Sequence, residues 1–232
     1  MHTRLRRLPM CSLVRLARPA ALSSLLGPLI AAHAATVQVT LLSADGKPLV
    51  DAVVVVEPLS AGAPRKPAPM QATIQQEKMR FVPALTVVPT GSRVRFSNLD
   101  GYEHHVRGRP ATAGLLDNGT AGSGFELRLG AATDNRSGGT QEVVMAAPGP
   151  MELGCHLHSV MRGHIYVADT PWVAKTDANG TATLGEVPEG AAQVRVWHGD
   201  QLLPAAPVAV TVTALTALKL PTQVTPRGNR RR

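Results

Sequence analysis

Cysteine and aromatic residues are both scarce in this chain, and the two shortages exclude different kinds of protein. Aromatic side chains make up 3% of the 232 residues, so the chain lacks the stacking surfaces on which single-stranded nucleic acids bind. The formal net charge of +8 arises from arginines at the two ends, whereas basic and acidic side chains nearly balance over residues 35–226. We therefore expect no basic face and no nucleic-acid partner.

The N-terminal segment, residues 1–34, has the pattern of a cleaved export signal. Arginines precede an apolar run over residues 20–32, and Ala32-His33-Ala34 is a small-x-small cleavage site. The run is shorter than the roughly 20 apolar residues that a bilayer requires, and Gly27 and Pro28 interrupt it. We therefore predict a signal peptide over 1–34, export to the periplasm, and no membrane span after cleavage.

Only one cysteine, Cys155, remains once the segment that holds Cys11 is removed. A single thiol in an exported chain cannot form an internal disulfide, so it is buried and inert, paired between chains, or bound to a metal. Its neighbours favour a metal, because Cys155, His158 and Met161 follow the spacing Cys-x-x-His-x-x-Met. A tight loop brings such a thiolate, imidazole and thioether to one point. Copper accepts these donors whereas zinc seldom takes methionine, so copper is the predicted ion.

The sequence also lacks a long segment with the apolar periodicity of a helix. It has short apolar runs separated by turns instead. Alternating or β-branched runs occur at 36–42, 53–56, 93–96, 125–129 and 194–197. These patterns predict an all-β body.

A pair of histidines, His104 and His105, follows one of the predicted strands. Loops at the strand ends of a β-sandwich can lie side by side at one pole of the fold. We therefore expect one histidine of this pair to complete a trigonal set with Cys155 and His158, with Met161 as the axial ligand.

The segment around Cys155 resembles the ligand loop of the cupredoxins, the blue copper proteins. Cys155-x-x-His158-x-x-Met161-Arg162-Gly163, followed by a β-branched strand, is similar to the short loop of the amicyanin and plastocyanin type. Glu103-His104-His105-Val106 is similar to the Pro-His-Asn-Val of those proteins. The resemblance implies a Greek-key β-sandwich over residues 72–171, with one copper ion bound by His104, Cys155, His158 and Met161.

The sequence departs from the cupredoxin pattern at two positions. His105 stands where the family has an asparagine that ties the ligand loops together, so it is expected either to make a similar bond or to compete with His104 as the ligand. Glu103 replaces a proline, and a charge at this position is expected to favour Cu(II) and lower the reduction potential. Asn98, at the end of the preceding strand, is the third residue expected to support the ligands or to replace one.

The flanking segments resemble a different family. Residues 35–60 and 172–222 are similar to the two halves of a transthyretin-like or carboxypeptidase-regulatory-like sandwich, with a turn at Asp45-Gly46. We therefore predict a cupredoxin domain inserted in this second, smaller sandwich, with a linker over 61–71 and a disordered basic tail over 223–232. The whole arrangement resembles exported bacterial proteins labelled methylamine utilisation or plastocyanin-like.

The resemblance implies a monomeric electron carrier that is not an enzyme and that passes single electrons between redox protein partners. His158 is then expected at the surface, in an apolar ring of Leu157, Val160 and Pro150 where a partner docks. Two other hypotheses stay open. One is copper binding for handling in the cell envelope, and the other is a surface adhesion module without a functional metal. The additional histidines near the site favour copper handling, and these are His105, His156 and His164.

Overall fold

The computed structural model describes residues 34–59, 66–111, 124–133, 136 and 138–227. The predicted signal peptide, except its last residue, lies outside the described residues. All regular elements of the described part are β-strands, which confirms the all-β prediction. The strands are β1 Ala34–Leu42, β2 Val53–Pro58, β3 Gln71–Glu77, β4 Arg80–Val82, β5 Leu85–Pro89, β6 Arg93–Asn98, β7 His104–Pro110, β8 Phe125–Leu129, β9 Thr140–Val144, β10 Gly149–Cys155, β11 Arg162–Ala168, β12 Val173–Lys175, β13 Thr181–Pro188, β14 Gly190–Trp197, β15 Val208–Val212 and β16 Leu215–Pro221. Among these residues, no helix has the length and apolar character to cross a membrane.

Strands β3 to β11 form one sandwich, which we call the inner sandwich. Its five-stranded sheet has the order β5-β11-β10-β7-β8, and its four-stranded sheet has the order β4-β3-β6-β9. Alternation places one face of each strand in the core, as in β6, where Val94 and Phe96 are buried and Arg93 and Arg95 are exposed. Cys155 belongs to the same buried cluster as these apolar residues, so the thiol lies inside the sandwich.

The two flanking segments form the second sandwich, which we call the outer sandwich. Its sheets have the orders β13-β1-β16 and β12-β2-β14-β15. Strand β1 pairs in parallel with β16 and antiparallel with β13, so residues from both ends of the chain are needed to complete one sheet. This pairing confirms the prediction that one β-sandwich is inserted in another.

Strand β2 packs against both sandwiches, which explains its run of four valines. Val54 and Val56 lie in the core of the outer sandwich. Val53 and Val55 point the other way and pack with Leu85 of β5, in a small cluster that joins the two sandwiches. A strand buried on both faces needs a continuous apolar run instead of an alternating one.

The outer sandwich includes residues of the predicted basic tail. Val224 is 5% exposed and belongs to the core of this sandwich, and Arg227 donates from its backbone amide to Asp200. The prediction of a disordered tail over 223–232 is therefore wrong for residues 223–227. The cause is a single apolar residue, Val224, which gives no periodic signal in the sequence.

The stability of the chain should depend on pH through His164 of β11. Its ring packs against Trp197, with ring centroids 5.3 Å apart, and so close to Gly199 that a Cβ there would collide with it. Burial lowers the pKa of His164 below its ordinary value of 6.5, and the carboxylates of Glu152 and Asp200 oppose this shift without reversing it. The unfolded chain then binds the proton more readily, so the free energy of unfolding falls as the pH drops through about 6.5 and levels off below the folded-state pKa.

His164→Phe keeps an aromatic ring and removes this titration. From about pH 7 to about pH 5, the thermal midpoint of the variant should fall less than that of the native chain. An equal fall in the two proteins would contradict the assignment of His164 as a source of the pH dependence.

Candidate metal centre

Two strand ends and one loop bring three predicted ligands together at one pole of the inner sandwich. His104 is the first residue of β7, Cys155 is the last residue of β10, and His158 lies in the loop that leads to β11. The Sγ of Cys155 is 3.7 Å from Nδ1 of His104 and 3.6 Å from Nδ1 of His158. All three candidate ligand atoms lie within 4.8 Å of one another.

These separations fit the donor set of a trigonal metal site. With metal–sulfur and metal–nitrogen bonds of about 2.3 and 2.0 Å, an angle of about 120° between them separates the two donor atoms by roughly 3.7 Å. The measured S···N separations of 3.7 and 3.6 Å agree with this value. One thiolate and two imidazoles are also the equatorial donors that copper prefers in electron-transfer sites. The residues present therefore fit a copper ion.

Asp100 orients His104, although its sequence pattern did not mark it as a candidate site residue. Nε2 of His104 lies 2.9 Å from Oδ2 of Asp100, and both side chains are buried. Nε2 therefore carries the proton and donates to the carboxylate, which leaves Nδ1 free to face the sulfur. A carboxylate that receives the second N–H of a ligand imidazole fixes its tautomer and its orientation. The signal in the sequence is an aspartate four residues before a histidine, in a loop after a strand.

The carboxylate of Asp100 is itself held by the backbone of a neighbouring turn. The amides of Lys78 and Met79 donate to its two oxygens at 2.6 and 3.1 Å. Burial alone raises the pKa of Asp100, but the bonds from Met79, His104 and Lys78 outweigh it, and the net pKa lies below the ordinary value of 3.8. Asp100 is therefore a charged acceptor beside His104.

Asn98 holds the loop that carries His104 and is not one of the three clustered ligands. Its side-chain amide donates to the carbonyls of Tyr102 and Gly130 at 2.7 and 2.9 Å, and its Oδ1 accepts from the amide of Asp100 at 2.8 Å. The side chain is fully buried. The structure thus gives Asn98 a supporting role, which is one of the two roles that the sequence left open.

Met161 lies in the core of the inner sandwich with Cys155. Its side chain is 1% exposed and belongs to the same buried cluster as the sulfur of Cys155. The amide of Met161 donates to the carbonyl of His158 at 3.0 Å, so the loop turns back between these two residues. This turn follows the tight curl that the Cys-x-x-His-x-x-Met spacing predicts.

His105 and Glu103 stand apart from the three clustered ligands. His105 is the second residue of β7, so its side chain points to the opposite face of the sheet from His104, where it stacks on His156 with ring centroids 5.0 Å apart. Glu103 is exposed. Of this pair, His104 is the histidine that lies in the cluster with Cys155 and His158.

The surface around His158 differs from the predicted apolar ring at one position. Leu157 and Val160 are 55% and 76% exposed, as a docking surface requires. Pro150 lies near the start of β10, five residues before Cys155, and a strand of that length spans ~16 Å. Pro150 therefore cannot belong to the ring, because the regular strand carries it to the other end of the sandwich. Tyr102 lies beside His158 instead, with ring centroids 5.2 Å apart.

Comparisons with known proteins find likeness only among solved structures. No family model matches the chain, and no curated protein matches it. A Cu-containing nitrite reductase (NirK) from Thermus scotoductus SA-01 is 23% identical over 48% of this chain and 25% of that protein, with a TM-score of 0.33. The chain thus spans about a quarter of the length of that reductase.

Two shorter proteins are matched over most of their own length. A purple cupredoxin from Nitrosopumilus maritimus is 19% identical over 42% of this chain and 99% of that protein, with a TM-score of 0.31. A mutant of amicyanin in the Cu(I) state is 18% identical over 42% of this chain and 82% of that protein, with a TM-score of 0.32. In all three comparisons the likeness concerns less than half of this chain.

Proposed function

We propose that this protein is a type 1 copper protein that carries single electrons. The observation that carries the proposal is the cluster of one sulfur and two imidazole nitrogens, with S···N separations of 3.7 and 3.6 Å. Copper held by such donors supplies reversible one-electron chemistry between Cu(II) and Cu(I). Cys155 would bind as the thiolate, and His104 and His158 would bind through Nδ1 as neutral imidazoles. Met161 is proposed as the weak axial ligand.

The chain's own structure favours a site that changes little between oxidation states. His104 and Cys155 stand at the ends of the neighbouring strands β7 and β10, and Asp100 and Asn98 hold the loop that precedes His104 through buried hydrogen bonds. Ligands held in this way keep one geometry, which lowers the reorganisation that accompanies electron transfer. Such rigidity suits a carrier better than a site that must release its metal, so electron transfer is preferred over copper handling.

The exposed rim of the site is proposed as the docking surface for redox protein partners. His158 is the ligand nearest the solvent, and Leu157, Val160 and Tyr102 expose apolar surface around it. Transient electron-transfer complexes bury small areas, so a patch of this kind is sufficient.

The biological setting follows from the sequence resemblances, and it is part of the same proposal. We place the protein in the periplasm after removal of residues 1–34, as a monomer without an enzymatic reaction of its own. The arrangement of the two sandwiches resembles exported proteins of the methylamine utilisation type, a label that names a genetic association and no substrate.

Voltammetry of the copper-loaded protein tests the carrier function. We expect a reversible one-electron wave that is retained over repeated cycles, because the buried hydrogen bonds of Asp100 and Asn98 hold the ligands in one arrangement. The copper-free protein is the control and should give no wave. Irreversible behaviour, or loss of copper on reduction, would contradict the carrier and would favour copper handling.

A further inference from the structure

We propose that the chain carries a second metal site, formed by His105, His156 and Glu126 on the outward face of the five-stranded sheet. Its ligands would bind a divalent first-row transition ion such as Zn(II), Ni(II) or Cu(II). The site is separate from the cluster that contains Cys155, and the proposal does not depend on the electron-carrier function.

The backbone places these three side chains on one face of the five-stranded sheet, along β8, β7 and the end of β10. His104 and Val106 of β7 are buried, so His105 between them points outward. Cys155 pairs with Val106, and the next residue, His156, donates its amide to the carbonyl of His105 at 3.0 Å. His156 and His105 are therefore cross-strand neighbours on the outward face.

Glu126 completes the set from the other side of β7. It lies on β8, opposite Arg107, and its side chain is 50% exposed. Its two carboxylate oxygens face the two histidines, with Oε2 at 3.6 Å from Nε2 of His105 and Oε1 at 3.9 Å from Nε2 of His156. The two imidazole rings are stacked, with centroids 5.0 Å apart and an angle of 25° between their planes. Strands β7 and β8 and the residue that follows β10 thus bring the three side chains to one region.

The chemistry of this set matches a transition ion better than a hard cation. Two imidazoles and one carboxylate suit zinc, nickel or Cu(II), whereas calcium and magnesium prefer oxygen donors. Three protein ligands also leave a position for water or another small ligand. The side chains are 19%, 46% and 50% exposed, and binding of an ion requires small rotations that shorten the present separations between them.

Arg107 competes with an ion at this position. Its Nε lies 3.1 Å from Oε1 of Glu126, so binding of a cation requires the carboxylate to exchange this partner. Removing the guanidinium should therefore strengthen metal binding. If Arg107 and Glu126 formed only a surface ion pair with no role in metal binding, removing the guanidinium would leave metal binding unchanged.

Zn(II) binding to an untagged chain with Cys155→Ala and His158→Ala provides the test, because these changes dismantle the first cluster. Equilibrium dialysis with metal analysis should find one bound ion in this background. Adding His156→Ala or Glu126→Gln should weaken binding by about tenfold or more, and adding Arg107→Gln should strengthen it. Glu152→Gln is the matched control, since Glu152 pairs with Arg109 on the same sheet, and it should leave Zn(II) binding unchanged.

A second experiment uses the native chain and does not depend on the folding of that background. Titration with Cu(II) should fill two sites, and the second equivalent should give an electron paramagnetic resonance signal of nitrogen and oxygen ligation without a thiolate band. His105→Ala with His156→Ala should remove that signal alone. Persistence of the second signal in this variant, or unchanged Zn(II) binding on adding His156→Ala, overturns the proposal. Absence of the thiolate band together with a retained second signal would instead overturn the electron-carrier function and leave this site standing.

Discussion

Cys155→Ser is expected to abolish the visible colour of the copper-loaded protein completely. The colour of a type 1 site comes from charge transfer between a thiolate and Cu(II), and Cys155 supplies the only sulfur anion available in residues 35–232. A serine hydroxyl keeps its proton near neutral pH, so the oxygen neither donates charge in this way nor binds the ion strongly. Copper affinity should fall together with the band. The measurement is the absorption spectrum of the two proteins with one equivalent of Cu(II).

The same substitution affects stability, and a second variant separates the two effects. Cys155 is 7% exposed and lies in the core, so an unpaired hydroxyl at this position should cost about 1–3 kcal/mol of unfolding free energy. Cys155→Ala removes the sulfur without burying a hydroxyl, and it should lose the band equally. Colour that survives in either folded variant would contradict the role of the thiolate.

Asp100→Asn should weaken copper binding by about 10–100-fold although Asp100 does not face the sulfur of Cys155. The carboxylate accepts from Nε2 of His104 and from the amides of Lys78 and Met79. An asparagine offers one acceptor oxygen and brings a donor against groups that are themselves donors. We expect His104 to lose its fixed tautomer, and the free energy of unfolding to fall by about 1–3 kcal/mol. Isothermal titration with copper and thermal denaturation measure the two effects.

Asp177→Asn is the matched control for this prediction. Asp177 also accepts from two backbone amides, those of Asn179 and Thr181, but it lies in a turn of the outer sandwich. This variant should lose some stability and keep the copper affinity of the native chain. Equal copper affinities for Asp100→Asn and the native chain would show that Asp100 does not position His104.

Three of the proposed ligands could be grouped from the sequence, because one short segment holds them. Cys155, His158 and Met161 are separated by two residues each, so a single turn decides whether they converge. His104 stands at the start of β7, 51 residues before Cys155. The residues alone do not distinguish His104 from His105, because the distinction depends on which face of β7 is buried. The choice of His104 came from the family resemblance.

Asp100 and Tyr102 were missed for a physical reason. Their positions depend on how residues 99–103 turn between β6 and β7, and the side chain of Asn98 determines that turn by bonding to the carbonyl of Tyr102. No periodic pattern in the sequence reports such a bond. The wrong placement of Pro150 has another cause, since it came from the family resemblance and not from the length of the strand between Pro150 and Cys155.

The pairing of His105 with His156 could not be derived from the sequence for the same reason. Cross-strand neighbours are set by the register of β7 against β10, which places Cys155 opposite Val106. A shift of one residue would move each side chain to the other face of the sheet. The continuous valine run of β2, in contrast, predicted a buried strand from composition alone.

The central claim is that Cys155, His104 and His158 bind one copper ion as a thiolate and two imidazoles. Its most direct test is the combined absorption and electron paramagnetic resonance spectrum of the native chain with one equivalent of Cu(II). The structure predicts an intense visible band of thiolate-to-copper charge transfer and a resonance signal that shows sulfur covalency. A colourless adduct with only nitrogen and oxygen ligation would contradict it.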